Sequence, residues 1–99
     1  MTPAEFKRSL VKAKPPVGIS PALAGLWWAG KDDRDKAHML VMNEGEADCA
    51  WVHAYLHRVE GDISNAHYWY RQARRKPAEG DLAAEWTAIA SALLGEQSA

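Results

Sequence analysis

Apolar residues recur along most of this chain at intervals of three and four, the spacing that gathers them on one face of an α-helix. One stripe is Val52, Tyr55, Leu56 and Val59, and another is Leu82, Trp86, Ile89 and Leu93. No segment alternates with period two for the length of a strand, so the chain reads as all-α. Polar punctuation divides it further. Thr2-Pro3 with Glu5 gives an N-cap, a first-turn proline and a capping box, and predicts a helix to about Ala13 that stops before Pro15-Pro16. Residues 14–19 form a linker. Ser20-Pro21 repeats the cap-then-proline signal and opens a second helix through about Ala29. Asp32 or Asp33 caps a third to about Met42, residues 43–47 form a turn, and Asp48 caps a fourth that ends at Gly61. Asp62 caps a fifth that ends near Lys76-Pro77. Asp81 caps a sixth, with Gly95 as its expected left-handed C-terminal residue.

The segments pair. Sliding the chain so that Asp33 falls on Asp62 also brings Ala37 onto Ala66 and His38 onto His67, with Gly25 falling on Ala54. Small residues on successive helices let two helices approach closely, so 20–42 and 48–76 each read as an antiparallel αα-hairpin. The expected architecture is one domain of five to six helices over 1–99. An N-terminal helix and linker occupy 1–19, the paired hairpins 20–76, and a capping helix 77–99.

Ala54, Gly61-Asp62, Ala66, Tyr70, Ala73 and Pro77 resemble the tetratricopeptide repeat, and Gly25, Asp32-Asp33, Ala37 and Val41 fit it loosely. The resemblance implies stacked helical hairpins whose first helices line a concave binding groove. The chain departs from the motif in a shorter repeat offset, in His53 and His57 at positions that favour apolar residues, and in Pro77 one place early. The block from His53 to Ala73 is also similar to a family of small uncharacterised proteins with the core HAYLHRxEGDxxNAxYWYRxA. That likeness implies an architecture and no reaction.

Composition narrows the partners. A net charge of −1 and the absence of a recognisable nucleic-acid motif speak against a nucleic-acid binder. The charge is blocky: the first sixteen residues are basic, 30–48 acidic, 49–77 basic and 78–99 acidic, a pattern that suits solvated faces pairing within the fold or across a dimer. No apolar run approaches the ~20 residues of a membrane span, and the opening MTPAEFKRSL lacks the apolar core of a signal peptide. A single cysteine, Cys49, points to a reducing compartment, so a cytoplasmic protein is expected. Five Trp, three Tyr and one Phe are many for 99 residues and suggest an interface, with self-association through Trp27 or Trp28 as a candidate.

Three constellations carry candidate chemistry. His53, His57 and Glu60 share a flank of the fourth helix, where histidines four apart point two imidazoles at one metal and His67 on the next helix is a candidate fourth ligand. The plainer reading makes these histidines hydrogen-bonded packing residues. Trp51, Tyr55 and Arg58 lie on the side that the repeat would turn to its groove, and are of the types enriched at binding hot spots. On the fifth helix, Ile63, Ala66, Trp69, Tyr70 and Ala73 form the expected core face, while His67, Arg71, Arg74 and Arg75 crowd the other. The function expected is a non-enzymatic module that binds a protein or peptide through Trp51, Tyr55, Arg58, His67 and Arg71, without a cofactor. The alternative is a small metal-dependent or acid–base enzyme using His53, His57, Glu60 and His67.

Overall fold

A computed structural model of the chain describes residues 1–42 and 45–98, the last three by backbone alone. Among these residues there are six α-helices and no strand. They are α1 (Pro3–Arg8), α2 (Pro21–Gly30), α3 (Arg34–Val41), α4 (Ala47–Val59), α5 (Ile63–Ala73) and α6 (Leu82–Ser98). The expected turn at 43–47 lies partly outside the described residues.

Most helix starts follow from local chemistry. The Thr2 hydroxyl accepts from the Glu5 N–H at 3.1 Å while the Glu5 carboxylate accepts from the Thr2 N–H at 2.9 Å, a reciprocal capping box. Ser20 Oγ accepts from the Leu23 N–H at 3.2 Å, and Asp33 Oδ1 from the Lys36 N–H at 3.1 Å. Asp33 is therefore the cap of α3. Asp32 takes the left-handed turn before it, at φ 62°. Asp62 and Asp81 cap α5 and α6 through the N–H groups of Asn65 and Ala84.

The ends differ from expectation in four places. α1 stops at Arg8 and tightens into a 3-10 turn over Ser9–Val11 instead of reaching Ala13. The Lys31 ammonium then collects the carbonyls of Leu10 and Lys12 at 2.6 and 2.9 Å. α4 begins at Ala47, with Glu46 at the cap position, so Asp48 sits in the first turn and complements the helix dipole rather than capping it. α5 closes at Ala73. Arg74 turns left-handed at φ 59°, and the Arg75 N–H returns to the Tyr70 carbonyl at 2.9 Å, a Schellman ending without glycine. α6 runs through Gly95, which is an interior helical residue and not its terminator.

α2 pairs with α3 and α4 with α5, and α4 also touches α2, α3 and α6. The central position of α4 explains why every residue from Cys49 to Leu56 is buried: both of its apolar faces are core. The small-residue contacts are present. A Cβ on Gly25 would stand 2.7 Å from Val41 Cγ1 and 3.4 Å from the Ala37 carbonyl oxygen, and Ala37, Ala54 and Ala66 are buried.

The two ends of the chain close the bundle together. Phe6 of α1 is fully buried and stacks on Trp86 of α6 with ring centroids 5.5 Å apart. Trp86 Nε1 donates to the Leu26 carbonyl at 2.8 Å, and Trp27 Nε1 to Ser9 Oγ at 2.9 Å, so both buried indoles keep a partner. Trp27, Trp51 and Trp86 are buried and Trp28 and Trp69 half-buried, so the fold hides its indoles better than their number suggested. Self-association through Trp27 is ruled out by its complete burial. No described helix is long and apolar enough to cross a membrane.

Candidate functional site

Because α4 is central, it presents different chemistry to each neighbour. Towards α3 and α5 it presents histidine. His53 and His57 stack on each other with centroids 4.9 Å apart and planes 15° apart, and His53 stacks in turn on Trp69 of α5 at 4.0 Å. His38 of α3 meets both edge-on, at 5.1 and 5.3 Å. Its Nε2 lies 2.8 Å from Glu60 Oε1, the one short polar contact of the group among the described residues. His57 Nδ1 is 3.9 Å from Glu60 Oε2 and 4.0 Å from Asp62 Oδ2, too far for a hydrogen bond. The Nδ1 atoms of His53 and His57 are buried and make no hydrogen bond among the described residues. Burial, helped by the neighbouring charges of His57 and His38, pushes His53 down to about 4, against the opposing pull of Glu60.

The cluster differs from expectation in its third imidazole. His67 is exposed on the outer face of α5, and His38 occupies the place beside His53 and His57. The register that aligned His38 with His67 marked the two as equivalent, but only His38 lies against α4. Parallel stacked rings also cannot direct their in-plane lone pairs at one point. Among the described residues no group of three or more His, Cys, Asp and Glu side chains is arranged to hold a metal ion.

Towards α6, α4 presents Arg58. Its Nη1 lies 3.0 Å from Glu85 Oε1, and its Nη2 donates to the Gly80 carbonyl. Tyr70 of α5 donates its hydroxyl to the other Glu85 oxygen. Glu85 is almost wholly buried and joins α4, α5 and α6 in one network. Burial first, then the Glu85 hydrogen bond and charge, hold the Tyr70 phenol well above its ordinary range. Trp51 is buried beneath Arg75, whose guanidinium lies 3.7 Å from the ring centroid, a cation–π contact. Trp51 and Arg58 are thus covered by the segment leading into α6, and Glu85 was missed because nothing local in the sequence ties it to Arg58.

A cleft of about 630 Å³ opens between α1, the α2–α3 turn, α4 and the start of α6. Leu10, Leu56, Val59, Leu82 and Trp86 supply its apolar walls; Lys7, Asp32 and Arg34 stand among its polar lining. Tyr55 lines it too. That side chain is only 7% exposed, and its hydroxyl makes no hydrogen bond among the described residues. Burial, with the charges of Glu85 and Asp32, pushes the Tyr55 phenol up to about 12. Tyr55 is therefore a neutral donor and acceptor. Of the residues expected to bind a partner, only Tyr55 reaches this cleft. Arg71 and His67 stand exposed on α5, away from it.

No family model, no curated protein and no solved structure matches the chain.

Proposed function

We propose that the protein is a non-enzymatic interaction module that takes a large apolar side chain of a partner peptide into the cleft beside Tyr55. The observation that carries this reading is Tyr55, a largely buried side chain that lines the cleft and whose hydroxyl makes no hydrogen bond among the described residues, at a cleft whose volume falls within the range of ligand sites. Two cations, Lys7 and Arg34, and one acid, Asp32, give the lining a net positive charge, so the preferred peptide carries a carboxylate next to its apolar anchor. Walls from α2 and α4, the first helices of the two hairpins, suit a groove of the kind the tetratricopeptide resemblance implies. A reducing compartment such as the cytoplasm suits the single, fully buried Cys49.

The acid–base alternative has the His38–Glu60 contact in its favour. The cleft beside Tyr55, however, is lined by none of His38, His53, His57 and Glu60.

Selection from a peptide library on the wild-type protein, with counter-selection against Ala83→Trp, tests the reading. Ala83 is exposed and lines the cleft, so the larger ring fills the space without entering the core. The expected outcome is a consensus of one large apolar residue beside an acid. Peptides that bind both proteins equally, or no enrichment at all, overturn it.

A further inference from the structure

Positive charge and exposed apolar surface meet on the stretch that leads out of α1. Residues 6–31 hold five of the chain's twelve Lys and Arg and none of its thirteen Asp and Glu. Where α1 tightens into its 3-10 turn, the Lys31 ammonium binds the Leu10 and Lys12 carbonyls and Trp27 Nε1 donates to Ser9 Oγ, so the end of α2 pins this backbone. Pro15-Pro16 then stiffen the chain, and Val17 stands at a turn with Gly18 at φ 85°.

Arg8, Lys12 and Lys14 are exposed and line one depression with Val17. None of the three forms an ion pair among the described residues. Glu5, the one acid in that lining, already accepts from the Thr2 N–H. Val11 and Val17, 89% and 102% exposed, are the two most exposed large apolar residues among the described residues. Both lie in the same stretch as the cations.

The make-up of the depression points to its occupant. Its partly buried polar side chain, Ser9, already donates to the Phe6 carbonyl and accepts from Trp27 Nε1, so it is not free to grip a single phosphate or carboxylate. No aromatic ring lines it for a nucleobase to stack on. An acidic peptide would answer the cations alone, whereas the valines among them call for an apolar layer as well. A bilayer with anionic headgroups supplies both. The acidic remainder of the chain is repelled by such a surface, which turns the basic end towards it.

We propose that the segment carrying Arg8, Val11, Lys12, Lys14 and Val17 docks the protein onto an anionic lipid surface. The cations meet the headgroups, and the valines reach the boundary of the acyl chains.

Co-sedimentation of the full chain with phosphatidylcholine vesicles, with and without about 30% phosphatidylserine, tests this, circular dichroism confirming that each variant is folded. The wild type is expected to bind the anionic vesicles alone, and less as salt rises. Lys12→Glu with Lys14→Glu is expected to weaken binding by about tenfold or more. Arg71→Glu with Lys76→Glu makes the same change in net charge at exposed positions outside the depression, and is expected to cost less than about threefold. Val17→Ser alters no charge and no buried contact, and is expected to weaken binding by about threefold. Failure to bind anionic vesicles, equal binding to neutral ones, equal losses in the two charge-reversed pairs, or indifference to Val17→Ser each overturns the proposal. Complete displacement from the vesicles by polyglutamate of matched charge makes an acidic chain the occupant and overturns it too.

Discussion

Arg58 of α4 and Glu85 of α6 meet at 3.0 Å, twenty-seven positions apart in sequence, with their side chains 15% and 3% exposed. The pair fastens the last helix to the centre of the bundle. The carboxylate also accepts the Tyr70 hydroxyl, so three helices depend on one acid. Glu85→Ala leaves a largely buried guanidinium and a buried phenol without their partner, and is expected to cost about 3 kcal/mol. Tyr70→Phe removes one hydrogen bond while the ion pair remains, and is expected to cost about 1 kcal/mol. Urea unfolding of both variants and of Arg58→Ala measures these values. Costs for Glu85→Ala as small as those of an exposed pair would contradict the network's structural role.

The stacked histidines predict acid sensitivity. His53 is held at about 4 in the folded chain, chiefly by burial, against an ordinary value of 6.5 once unfolded. The unfolded chain therefore binds more protons between these values. His53's contribution to stability is fully present above pH 6.5 and is lost as pH falls towards 4. At roughly 1.4 kcal/mol per unit, the loss reaches about 3 kcal/mol. Chemical denaturation at a series of pH values measures the slope. His53→Phe keeps a ring to stack on Trp69 and is expected to flatten the profile; an unchanged slope in that variant places the acid sensitivity elsewhere.

Two glycines should respond in opposite directions. At Gly25 the space is taken by Val41 and the Ala37 backbone, so Gly25→Leu overpacks the α2–α3–α4 contact and is expected to cost about 2 kcal/mol or more. A Cβ at Gly95 meets nothing within 4 Å, and its helical backbone needs no positive φ. Gly95→Ala is expected to stabilise by about 0.5–1 kcal/mol through helix propensity. Destabilisation there would instead indicate the left-handed terminator that the sequence suggested. Thermal melts of both variants decide.

What was legible in the sequence was local. Thr2, Ser20, Asp62 and Asp81 cap their helices because a cap needs only its own next three residues. Gly25 and Ala37 marked a close helix contact because small side chains are needed wherever backbones approach. The remainder depended on what lies beyond a helix's own neighbours. The sequence left two faces of α4 as its core, Val52, Leu56 and Val59 or Ala50, His53, Ala54 and His57, because periodicity cannot say how many neighbours a helix has; packing on several sides buries Val52 and Leu56 together with Ala50, His53 and Ala54. Periodicity put His67 with Arg71 on the outer flank of α5, where the structure keeps it, and the metal reading set that aside. Glu85 carries no local mark in the sequence; its role comes from Arg58 and Tyr70, which only the fold brings to it.

Tyr55 bears on the functional account. Tyr55 lines the cleft and its hydroxyl makes no hydrogen bond among the described residues, so Tyr55→Phe should leave stability nearly unchanged. The same change should weaken a peptide that bonds to the hydroxyl by roughly tenfold, about the worth of one hydrogen bond in a desolvated site. Equal peptide affinity with a lowered melting temperature would make Tyr55 a packing residue.

The most direct test of the cleft reading is the dissociation constant of the best selected peptide for wild-type protein and for Ala83→Trp, measured by calorimetry on proteins matched in melting temperature. Occupation of the cleft predicts that the variant binds at least about tenfold more weakly, a difference of roughly 1.4 kcal/mol. Equal dissociation constants would contradict it.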